Sequence, residues 1–199
     1  MNIAPDTGYI AFEGDRCIGC GDLREVAGAA SEALGRHPHA SILIFDRQTS
    51  SLVDLDFRGS VDDVLARLPP VAAVPDDTAV APPRGPGRPK LGVVAREITL
   101  LPRHWEWLAQ QRGGASVVLR RLVDEARRNN EGGDRIRLAQ EAAYRFMSAM
   151  AGNRVHFEEA IRALFANEPA RFEQLIAEWP ADIRDHAAKL AEPAFQRQP

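Results

Sequence analysis

The chain has 199 residues, 45% hydrophobic and 27% charged, with a formal net charge of −3. These proportions exclude wholesale disorder, a collagen-like repeat and a coiled coil as descriptions of the whole. No apolar run reaches the roughly 20 residues of a membrane span, the opening residues lack a signal-peptide pattern, and Cys17 and Cys20 are too few for a disulfide scaffold.

Residues 8–12 and 16–20 read as short strands around the Glu13-Gly14-Asp15 turn. Asp22 is a helix N-cap, and Leu23, Val26, Ala27, Ala30 and Leu34 keep helical spacing up to the stop signal Gly35. Residues 41–45 form a buried-strand run, residues 46–50 a turn, and residues 52–57 a further strand. Ser60 caps a short helix bearing Val61, Val64, Leu65 and Leu68, closed by Pro69-Pro70. The order ββαββα predicts a small α+β domain over residues 1–68.

Seven prolines and three glycines make residues 69–92 a linker. Residues 93–130 read as one strand and two helices, ending in the polar break Asn129-Asn130-Glu131-Gly132-Gly133. Residues 131–199 read as an α-helical domain. Its first stripe is Ile136, Ala139, Ala142, Ala143, Phe146, Met147 and Met150, and its second Phe157, Ala160, Ile161, Leu164 and Phe165. Pro169 opens a third helix with Phe172, Leu175, Ile176 and Trp179, and Ile183, Ala187 and Leu190 mark a fourth. The fold class expected for the whole is α+β.

Charge is distributed unevenly. Residues 1–83 carry 6 basic and 13 acidic side chains, residues 84–128 carry 10 and 4, and residues 129–199 carry 9 and 11. A near-neutral total therefore hides a basic middle, the pattern of a segment that binds a polyanion. Of the basic residues 23 are Arg and only Lys90 and Lys189 are Lys. That bias has the look of a GC-rich genome, so the clustering carries the argument rather than the abundance.

Within the basic middle, residues 96–100 alternate, with Ile98 and Leu100 on one face and Glu97 and Thr99 on the other. Pro102 starts a helix with Trp105 and Leu108 on its apolar face. Gly113-Gly114 turns the chain, and Ala115 and Ser116 open a second helix lined by Leu119, Leu122, Val123 and Ala126. A lone strand is an unsatisfied edge. Pairing with the same strand of a second chain would satisfy it. The stretch from Arg96 through Pro102, Trp105, Leu108 and Gly113 to Arg120 resembles the ribbon-helix-helix repressors and antitoxins of bacteria.

That resemblance implies a homodimer on double-stranded DNA. The outer face of the ribbon would enter the major groove and the second helix would present its N-terminus to phosphate. Glu97 and Thr99 would face bases, with Arg96 at the start of the strand, Ser116 capping the second helix at phosphate and Arg120 nearby. Two departures stand out: an acidic Glu97 repels phosphate and could accept only from cytosine N4, and Arg96 falls on the core-facing parity. Just upstream, Arg84-Gly85-Pro86-Gly87-Arg88-Pro89-Lys90 resembles an AT-hook. There an extended backbone lies in a narrow A·T minor groove whose potential attracts the central Arg. Arg84, Arg88 and Lys90 are its candidate contacts, although Pro86 interrupts the basic run.

Other constellations nominate no chemistry. Cys17-Ile18-Gly19-Cys20 lacks further zinc ligands at finger spacing and reads as strand rather than as the helix N-terminus of a redox pair. Asp54, Asp56, Asp62 and Asp63 read as strand-edge and helix N-terminal charges. No nucleophile, P-loop, dinucleotide or HExxH motif occurs.

The runs Leu101-Pro102-Arg103-His104-Trp105-Glu106-Trp107-Leu108, Gly113-Gly114-Ala115-Ser116, Ala142-Ala143-Tyr144-Arg145-Phe146-Met147 and Trp179-Pro180-Ala181-Asp182 resemble a family of bacterial proteins catalogued as a domain of unknown function. The likeness spans essentially the full length and implies a bacterial source and a common architecture, with no activity attached. The expectation is thus a cytoplasmic DNA-binding protein, a regulator acting as a dimer, with no cofactor, no membrane partner and no catalytic role. The alternative is a protein-interaction or antitoxin-like adaptor that does not bind DNA.

Overall fold

A computed structural model describes residues 8–69, 94 and 96–196. The fold is mixed α+β. Three strands, β1 (Tyr9–Glu13), β2 (Arg16–Gly21) and β3 (Ile42–Asp46), form an antiparallel sheet in the order β2-β1-β3. The described helices are α1 (Leu23–Arg36), α2 (Val61–Arg67), α3 (Pro102–Ala109), α4 (Gly114–Met150), α5 (Phe157–Phe165), α6 (Pro169–Ile176) and α7 (Ala181–Ala191). Two compact units result, Met1–Leu68 together with Glu131–Pro199, and Pro69–Asn130.

In the first unit the two-residue period of the strands sorts the core. Ala11 and Ile44 face Val26 and Ala30 of α1, while Ile10, Phe12 and Phe45 face Ala142, Phe146 and Met147 of α4 and Ile183 and Ala187 of α7. The sheet is therefore buried on both faces, which is why β1 reads as a continuous apolar run. A bulge between Ala11 and Phe12 adjusts the β1–β2 register. Residues 1–68 and 131–199, distinct domains by sequence, thus share one hydrophobic core.

Local signals set the element ends. The Asp22 carboxylate accepts the Arg24 and Glu25 amides at 2.8 and 2.9 Å, and Glu25 accepts the Asp22 amide at 3.1 Å, a complete capping box. Ser60 and Asp63 repeat the device on α2. The stripes expected after residue 131 become the last part of α4 and helices α5 to α7, with Pro169 in the first turn of α6.

Two expectations differ from the structure. Residues 52–57 do not form a fourth strand: a single bridge, Phe45 to Leu52, and the Val53 amide on the Ile44 carbonyl at 2.8 Å end the pairing. Beyond it Leu55 and Phe57 pack without ladder pairing into the space between the sheet face of Ala11 and Ile44 and helices α1 and α2. Nor does the Asn129–Gly133 run break the chain, since α4 continues through it for 37 residues.

Candidate nucleic-acid interface

The second unit is described over 94 and 96–130. Leu101 is the N-cap residue of α3, which begins with Pro102 at N1, where a missing amide costs nothing. Gly113 and Gly114 then join α3 to α4 with φ of 93° and 76°, a left-handed pair of steps that side chains resist. A Cβ on Gly113 would also stand 3.3 Å from a Val117 methyl. These two glycines fix where the second helix starts.

Among the described residues of this unit only Leu108 and Val118 are buried apolar side chains. On α4 the stripe Ala115, Val118, Leu119, Leu122 declines from buried to 38% exposed. Val123, assigned to the core face by its spacing, is 63% exposed. On α3 and before it Ile98, Leu101, Trp105 and Trp107 are each between 43% and 51% exposed. One chain therefore leaves most of its candidate core open.

Each candidate contact has a definite position. Arg96, Glu97 and Thr99 are exposed and belong to an extended stretch without regular pairing in the single chain. Ser116 is exposed and stands third in α4, not at its cap as expected, because the helix begins two residues earlier at Gly114. Arg120 is exposed and its Nε donates to the Ser116 carbonyl at 3.0 Å, one turn back. The structure thus brings Ser116 and Arg120 together at the start of α4. Arg84, Arg88 and Lys90 lie outside the described residues.

The charge pattern is sharper than composition alone conveys. Arg96, Arg103, Arg112, Arg120, Arg121, Arg127 and Arg128 are all exposed, and none forms an ion pair among the described residues. In the other unit Arg58, Arg67, Arg137, Arg145, Arg154, Arg162, Arg171 and Arg184 meet carboxylates, whereas Arg16, Arg24, Arg36 and Arg135 form no ion pair among the described residues. Sequence reading found the basic excess. It did not find that these guanidinium groups have no carboxylate partner among the described residues, which only the spatial distribution of carboxylates reveals.

With this geometry in place, comparison with known proteins adds a family. Residues 8–191 match the family described as an uncharacterized protein conserved in bacteria, DUF2239. The chain belongs to that family, and the match covers both units. No curated protein and no solved structure matches. No described helix is long and apolar enough to cross a membrane.

Proposed function

We propose that this is a dimeric DNA-binding protein that acts through residues 84–128. The observation that carries the reading is the set of seven exposed arginines without carboxylate partners among the described residues. Unpaired guanidinium groups keep their full attraction for phosphate and form bidentate contacts to it. The open apolar positions Ile98, Trp105, Leu122 and Val123 support the dimer, since a second copy would bury them. In this reading residues 96–100 of two chains pair into a ribbon. Thr99 and Glu97 then face the major groove, and Arg88, within Gly87-Arg88-Pro89, enters the minor groove with Arg84 and Lys90 on the flanking phosphates.

Fluorescence anisotropy on a random-sequence duplex tests this. Three to four phosphate contacts per chain give a dimer a log–log salt slope of about −6. A slope near zero, or no duplex binding at low salt, would overturn the DNA reading and leave the protein-interaction alternative.

A further inference from the structure

We infer that Cys17 and Cys20, brought to one face of the sheet by the bulge in β2, form a two-thiolate site for a single soft cation of the class of monovalent copper. The site lies wholly in the first unit, so it stands or falls apart from the DNA reading.

Cysteines three positions apart on a regular strand point to opposite faces. β2 is not regular there. Phe12 pairs with Cys17, Ala11 with Gly19 and Ile10 with Cys20, so Ile18 is the extra residue of the bulge. Ile18 packs on the cluster of Ala11, Val26 and Ala30, and a Cβ on Gly19 would stand 3.1 Å from the Ala29 Cβ. Both residues between the cysteines therefore turn to the α1 face. Cys17 packs on the opposite cluster, which holds Phe12, and Cys20 stands across from Ile10 of that same cluster.

The paired residues Phe12 and Ile10 are two positions apart, which sets the two cysteine rungs roughly 7 Å apart along the strands. That spacing lies at the Cα limit for a disulfide. It suits an ion held between two sulfurs, because two metal–thiolate bonds of about 2.3 Å in line span roughly 4.6 Å. The Cys17 thiol already turns along the strand, donating to the Gly19 carbonyl at 3.9 Å. Cys20 is exposed, which gives an ion access from solvent. Among the described residues no group of three or more His, Cys, Asp or Glu is placed to hold a metal. An ion that requires four ligands, such as zinc, is thus poorly served, whereas soft monovalent copper accepts two thiolates. On binding, each thiol gives its proton to the buffer, two copper–sulfur bonds form, and the copper keeps its oxidation state.

The test is a competition titration on the full chain, reduced and kept free of oxygen. Cu(I) is supplied as its bicinchoninate complex, and transfer is read from the loss of that complex's colour. One equivalent per chain should be withdrawn, and Cys17→Ser and Cys20→Ser should each weaken uptake about a hundredfold or more. Zn(II) in about tenfold excess should not displace the copper. Cys20 is exposed, so Cys20→Ser retains the fold, as a thermal melt checks, and it decides the matter even where the partly buried Cys17→Ser is unstable. No uptake, half an equivalent or two equivalents per chain, or unchanged uptake in Cys20→Ser would each overturn the assignment.

Discussion

The Cys17 amide on β2 donates to the Asp182 carboxylate, in the first turn of α7, at 2.7 Å. The bond joins residues 165 positions apart and ties the sheet to the C-terminal helices. Asp182→Ala should cost about 1 kcal/mol in urea unfolding, with an unchanged m-value. Asp182→Asn keeps an acceptor and should recover most of that loss. Equal losses in the two variants would show that the bond contributes little.

The two thiols should separate kinetically. Burial pushes the Cys17 thiol above its ordinary value, while Cys20 is exposed. The thiolate is the reactive form, so a chromogenic disulfide at mildly alkaline pH should modify Cys20 first and Cys17 slowly. Because the folded state disfavours the Cys17 thiolate, its contribution to stability is present below the ordinary thiol range. It is lost as pH rises through the raised value. Cys17→Ser should therefore flatten the alkaline edge of the stability profile, and an edge unchanged in that variant would overturn the burial effect.

Ser50 is a site where the fold improves on substitution. It has φ of 52°, is buried, and its hydroxyl makes no hydrogen bond among the described residues. Glycine accepts that conformation without strain and removes the buried hydroxyl. Ser50→Gly should raise stability by about 1 kcal/mol in thermal unfolding. A lower midpoint would mean that the hydroxyl has a compensating partner.

Much of this was legible because it is local. The Asp22 capping box, the stripe from Ala142 to Met150 and Pro169 at a helix start are each written within a few consecutive residues. What failed is what local pattern cannot carry. Leu55 and Phe57 alternate like a strand, but they fill the seam between the sheet and helices α1 and α2 with side chains and make no ladder with a neighbouring strand. Ser116 resembles a cap until the left-handed Gly113-Gly114 pair starts the helix earlier. Phe12, Phe45, Phe146 and His186 form one aromatic cluster, with the Phe146 and His186 ring centroids 4.6 Å apart. Nothing in the spacing of those four residues announces it.

The dimer can be tested without disturbing the monomer. Val123 is 63% exposed in the single chain, so Val123→Glu should leave helicity and the thermal midpoint of the first unit unchanged. If a second copy covers this face, the variant should shift light-scattering mass from dimer towards monomer at micromolar concentration, because it buries an unpaired charge. Identical masses for variant and wild type would exclude this face from a self-association surface.

On DNA the two elements should separate by groove. Arg88→Ala should weaken binding to A·T-rich duplex more than to G·C-rich duplex, by about 1–2 kcal/mol. Thr99→Ala should alter sequence preference at one position per half-site while leaving the salt slope alone, since it removes no charge. An Arg88→Ala variant that is neutral on both duplexes would reduce residues 84–90 to a connector.

Helix α4 crosses the boundary between the units, and between Val118 and Ala142 none of its side chains is buried. Its tertiary contacts there gather at the far end, where Ala139 packs on the core and Gln140 donates to the Leu164 carbonyl at 3.3 Å, while from Leu122 to Arg135 the side chains are exposed apart from half-buried Gly132. A helix without tertiary burial is marginal in water, and Gly132-Gly133 lowers its propensity by about 1 kcal/mol per residue relative to alanine. Amide protons around residues 125–137 should therefore exchange with deuterium long before those of the Phe146 turn, through local opening rather than global unfolding. Trypsin should enter by the same route, cutting after Arg127, Arg128 or Arg135 before any arginine of the strands or the C-terminal helices.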